Sequence, residues 1–128
     1  MTRHARTERG SAVVDFVLVS VIVVPLFLGV LQVGLFLYVR TTMTAAASDG
    51  ARLAATADRG PDDGVARTES MIDGAVSARL VDSVEAQTID LDGRPAIEIV
   101  VHGHMPALGL WGPSVEFTVR GHGIEEVP

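Results

Sequence analysis

The 128-residue chain carries a net charge of −6 and contains no cysteine and no asparagine, which excludes disulfides, thiolate metal sites and N-glycosylation. The charge is unevenly spread. Arg3, Arg6 and Arg9 stand against Glu8 in residues 1–10, whereas residues 41–128 hold 6 arginines against 14 acidic residues, a net of −8. So acidic a segment is a poor partner for nucleic acid, and a chain of this length has room for one small folded domain.

Residues 1–10, MTRHARTERG, form a short basic segment ending in glycine. The run from Phe16 to Val39, FVLVSVIVVPLFLGVLQVGLFLYV, follows without a single charge, bounded by Asp15 and Arg40. As a helix it is about 36 Å long, enough to cross a hydrocarbon layer about 30 Å thick. The expectation is one membrane-spanning helix over residues 11–39. Ser20, Pro25 and Gln32 interrupt it, which a helix in lipid tolerates where neighbouring groups satisfy the freed backbone. Gly29 and Gly34 are five apart, so the close-packing motif of glycines four apart is absent; with Gln32 they mark a helix contact, or Gln32 is a tolerated polar residue. Asp15, at the edge of the apolar run, is either a plain helix-end marker or a carboxylate that needs water or a partner. The basic N-terminus predicts a cytoplasmic leader (1–10) and an exported domain (40–128), although Arg40 and Arg52 oppose that bias. A secretory signal peptide would be cut beyond the run, near Ala45 to Ala47, but its apolar stretch is only ~7–15 residues.

Residues 40–57 are rich in helix formers, so the helix is expected to continue into solvent. Met43, Ala46, Ala47, Gly50, Leu53, Ala54 and Ala57 recur at helical spacing as a narrow face of small side chains. That face is expected to pack on the chain's own domain, the other reading being a contact between copies. Asp58 to Gly64 reads as a loop in which Asp62 or Asp63 caps the next helix; the spaced ligands of a calcium loop are missing. A second helix is expected over residues 65–82, its stripe formed by Val65, Ile72, Val76 and Leu80, with Arg67, Glu69 and Asp73 on a solvated face.

Beyond Ser83 the period shifts towards two, weakly in VEAQTIDL and clearly in Ile97, Ile99 and Val101. Between these runs Asp92-Gly93 is a strong signal for a two-residue hairpin turn, which needs positive φ at both positions. A third strand is expected over residues 115–120, completing an α+β domain with a three-stranded antiparallel meander and two helices. His102 and His104 share a strand face and His122 lies on the next strand, but their flanks lack a metal-site signature. Met105, Leu108, Leu110 and Trp111 make the last connection unusually apolar, as a lid on the small core or as a docking patch.

Taken together, RGSAVVDF, an apolar run containing GVLQVG, the boundary YVR and then AAASDGARLAA resemble the TadE-like family over residues 9–57. The resemblance implies a small bitopic membrane protein associated with the assembly of tight-adherence (Flp-type) pili, a branch of the type IV pilus and type II secretion machinery. Some family members look like pseudopilins. In the pilin-like pattern a prepilin peptidase cuts after a glycine that ends a basic leader, and a glutamate stands five residues beyond. Carried onto this chain, the cut falls between Gly10 and Ser11, and the carboxylate is the shorter Asp15. The implied partners are the membrane, pilus or secretion assembly proteins, related pseudopilins and the peptidase. The residues offer no nucleophile with a base and no phosphate-cradling loop, so no enzyme, catalytic residue, cofactor or small-molecule substrate is expected. The leading reading is a structural minor pilin or pseudopilin. Its rival is an unprocessed, membrane-anchored extracytoplasmic binding or adaptor module.

Overall fold

An uninterrupted helix of 51 residues, α1 (His4–Ala54), takes in the whole apolar run. The structure, a computed structural model, describes residues 4–107 and 113–125, the side chains of residues 4–7 excepted. It divides into an N-terminal unit ending at Gly34 and a C-terminal domain beginning at Leu35.

In the N-terminal unit, α1 buries none of its described side chains. Its large apolar side chains from Val13 to Val33 are all more than half exposed, Phe16 reaching 73%. The Ser20 hydroxyl donates to the Phe16 carbonyl at 2.7 Å, so this polar group is satisfied within its own helix. Pro25 lies inside the helix without ending it.

In the domain, α1 is followed by α2 (Pro61–Ala75), a short 3₁₀ turn (Ala78–Leu80) and strands β1 (Val81–Leu91), β2 (Arg94–Pro106) and β3 (Ser114–Ile124). The strands form one antiparallel sheet in the order β1-β2-β3, the meander read from the sequence. Asp92 and Gly93 have φ of 54° and 81°, as the two-residue turn requires. The Asp90 carboxylate accepts from the Gly93 N–H at 2.7 Å and supports the turn.

Period two sends Ile97, Ile99, Val101 and Met105 of β2 and Phe117 and Val119 of β3 to one sheet face, where they meet α1 and Ile72 of α2. The small face of α1 packs within the domain: Met43, Ala46, Ala47, Ala51 and Ala54 are buried. This packing reaches back to Phe36 and Val39, residues that also belong to the apolar run. Phe36 meets Phe117 edge to face at 5.7 Å.

Glycine is what lets the backbones approach so closely. A Cβ on Gly50 would strike the Thr68 hydroxyl and come within 2.6 Å of the Gly64 carbonyl; one on Gly64 would lie 2.6 Å from the Ala54 Cβ. On β3, a Cβ at Gly121 would run into the backbone of Ala47 and Ser48, and one at Gly123 into Ala51. Thr68, fully buried where α1 and α2 meet, donates to the Gly64 carbonyl at 2.8 Å.

Several boundaries differ from expectation. Helix α1 stops at Ala54 rather than Ala57, because the Thr56 hydroxyl takes the Leu53 carbonyl at 2.7 Å; Leu53 is half-buried and Ala57 exposed. Helix α2 starts at Pro61, where a missing N–H costs nothing. Its cap is Gly60, and Asp63 acts from the first turn by accepting the Gly60 N–H at 2.9 Å. The second helix ends at Ala75, not Asp82. Val76 is extended (φ −140°), and the chain turns through the 3₁₀ segment so that β1 can begin at Val81 opposite Gly103. Val76 and Leu80 still pack on the core, so their spacing reports a shared direction of burial rather than a helix. Strand β3 runs on past Arg120 to Ile124, because Gly121 and Gly123 let it continue under α1.

Candidate functional site

The candidate assembly site lies along the N-terminal part of α1, where the helix places every residue by its 100° step. Gly10, Ser11 and Asp15 are helical and exposed. Asp15 makes no hydrogen bond or ion pair with another described residue, so its carboxylate is available to water or to another molecule. A Cβ on Gly29 or Gly34 would meet open space, and Gln32 is half-buried. Gly29 and Gln32 lie about 60° apart around the helix, but Gly34 lies about 160° from Gln32. A single straight neighbour can therefore meet Gly29 and Gln32 together, while Gly34 faces elsewhere.

This helix is long and apolar enough to cross a membrane: its most apolar stretch has a mean hydropathy of 2.7 and is 0% buried. The core helix of a soluble protein would be covered. Apolar exposure on this scale far exceeds the patches that water-soluble monomers display, and it suits single-pass anchoring in lipid. Arg3 and the side chain of Arg6, which carry much of the basic leader, lie outside the described residues.

A second polar grouping occupies the outer face of the sheet, away from α1. Glu98 of β2 is 5% exposed, flanked in register by Gln87 of β1 and His122 of β3. The Gln87 amide donates to one carboxylate oxygen of Glu98, and His122 Nε2 donates to the other at 2.6 Å. Burial pushes the Glu98 pKa up, but the hydrogen bonds from Gln87 and His122, with the positive charges of His122 and Arg120, outweigh it and hold the carboxyl below the ordinary glutamate range. His102 and His104 do share this face, but their partners differ. His102 Nδ1 shares a hydrogen bond with the Thr118 hydroxyl at 3.0 Å, and His104 Nδ1 meets the Asp82 carboxylate at 2.7 Å. Among the described residues, no three histidine, aspartate or glutamate side chains converge as a metal site would need.

The Gln87-Glu98-His122 ladder, of which Glu98 is the buried member and Gln87 and His122 are exposed, was not singled out in the sequence. Half of it was accessible there, since a two-residue turn at Asp92-Gly93 sets Gln87 opposite Glu98 by counting outward. The pairing with His122 depends on the longer β2–β3 connection, whose length fixes no register.

The ladder makes stability depend on pH with a definite sign. A carboxyl whose folded pKa is depressed contributes stability that is complete above its unfolded pKa and lost as the pH falls through the folded value. Glu98→Gln is therefore expected to flatten the acid limb of the stability profile just below the ordinary glutamate range. Urea midpoints of both chains, measured across that range, check this; parallel profiles would count against the ladder.

Met105, read from the sequence as part of the apolar connection, belongs to β2 and is buried in the core, whereas Leu108, Leu110 and Trp111 lie outside the described residues. No curated protein and no solved structure matches the chain. Residues 10–52, which carry Gly10, Ser11, Asp15 and the exposed apolar helix, match the family model described as TadE-like protein, the same family that the N-terminal pattern of this chain resembles.

Proposed function

We propose that this chain is a structural subunit, a minor pilin or pseudopilin, of a tight-adherence pilus or a related secretion apparatus. The family match over residues 10–52 supports a part in the assembly of such pili. The observation that carries the finer reading is that α1 serves two environments. Its first part leaves every apolar side chain uncovered, and its last part is buried under a small α+β domain. Such a subunit can wait in a bilayer and then exchange lipid for neighbouring helices, since both present an apolar surface to the same side chains. In this reading residues 1–10 are a cytoplasmic leader removed by a prepilin peptidase between Gly10 and Ser11, and the acidic domain is exported. The functional groups are Asp15 for docking to a neighbour and Gly29 and Gln32 for helix contact, with Gly34 serving a different neighbour. No cofactor, metal or substrate enters this role.

Two measurements test it together. Protease added outside intact spheroplasts is expected to digest the domain, and the full chain is expected to co-isolate with the pilus or its membrane assembly proteins. A domain protected in spheroplasts would reverse the orientation. A correctly oriented chain that never co-isolates would instead favour the anchored binding module.

A further inference from the structure

At one end of the C-terminal domain, the last turns of the apolar run border a groove of ≈ 550 Å³. Leu35 and Tyr38 of α1, Val76 and Leu80 beside the 3₁₀ turn, and Met105 and Pro106 at the end of β2 supply its apolar wall, and Arg79 also lines it. Leu35 and Tyr38 are 44% and 58% exposed although they belong to the run read as membrane-spanning. The end of the apolar run thus supplies part of the groove's wall.

We propose that this groove holds an anionic phospholipid from the leaflet on the domain's side, its acyl chain against Leu35, Val76 and Leu80 and its phosphate on Arg79. The inference rests on α1 spanning a membrane. Arg79 is exposed and forms no ion pair with any described residue, in a segment whose net charge is otherwise strongly negative. A free guanidinium beside an apolar groove matches the two ends of such a lipid, and a basic residue at the membrane surface attracts anionic headgroups. His104 lines the same groove, but its Nδ1 is engaged by Asp82 at 2.7 Å, which offsets whatever charge it carries. Tyr38, next to last in the apolar run, has the apolar ring and polar tip that suit a membrane–water interface.

The test uses the full chain in vesicles of phosphatidylcholine with or without phosphatidylglycerol, each lipid in turn carrying a photoreactive group in its acyl chain. Flotation first reports whether the chain is in the membrane. Adducts on residues 76–80 and 105–106 are expected to favour phosphatidylglycerol by about fivefold, the worth of one basic residue near a charged surface. Arg79→Gln is expected to abolish that preference, while Arg94→Gln, an exposed arginine at the hairpin turn, keeps it. Equal labelling by both lipids overturns the proposal alone, as does labelling absent from the groove because residues 108–112 or a second copy fill it. A chain that fails to float overturns the membrane reading and the proposal with it.

Discussion

Gly121→Val is expected to destabilise the C-terminal domain by about 3 kcal/mol or more. A Cβ at this position meets the backbone of Ala47 and Ser48, not the tip of a side chain that could swing away. Relief would require the helix and strand β3 to separate, opening the contact that buries Ala47, Ala51 and Val119. Overpacking ordinarily costs about 1–3 kcal/mol when side chains can adjust; with rigid backbone as the obstacle the cost should reach or exceed the top of that range. A small domain has only about 5–15 kcal/mol to lose. Gly74→Ala provides the contrast. Gly74 lies in α2 with nothing within 4 Å of its missing Cβ, so alanine should be neutral or stabilising by up to about 1 kcal/mol. Limited proteolysis of the full chain in urea measures both, and similar midpoints for Gly121→Val and wild type would refute the close approach.

Asp15→Asn is expected to leave membrane insertion intact and to block incorporation into the assembly. The asparagine keeps the size and polarity of the side chain and removes only the charge. In a bilayer Asp15 would sit at the end of the apolar run, where water can reach it; among packed helices it would have to find a cation, and the amine that the proposed cut would free on Ser11 of a neighbouring subunit is of the right sign. Pairing of this kind need not add net stability. Losing one partner, however, leaves an uncompensated buried charge at a cost of about 3–5 kcal/mol, enough to decide whether a subunit is accepted. Asp15→Glu, longer by one methylene, should retain at least partial incorporation. Co-isolation of Asp15→Asn at the wild-type level would reduce Asp15 to a helix-end residue.

How legible the fold was depended on whether the signal was local. The apolar run, the Asp92-Gly93 turn and the alternation of Ile97, Ile99 and Val101 each carry their own geometry in sequence, and the helices and meander followed from them. The small face from Met43 to Ala54 was legible as a packing surface, but not the reason for its smallness. That reason is Gly121 and Gly123, some seventy residues further on, whose missing side chains admit the helix. The end of α2 was misplaced because Ile72, Val76 and Leu80 keep helical spacing while only Ile72 is in the helix; the demand of β1 for Val81 overrides the periodicity. For the candidate site, the order of Gly10, Ser11 and Asp15 was plain in the sequence. That Gly34 faces away from Gln32 was equally accessible, since two residues of the expected helix step through about 200°.

If this chain is a processed, membrane-held subunit, the protein recovered from membranes has the mass of a shortened chain. Cells with an active prepilin peptidase should yield a chain that begins at Ser11, the residues of MTRHARTERG having been removed. Recovery of the chain only with that leader still attached would contradict the account.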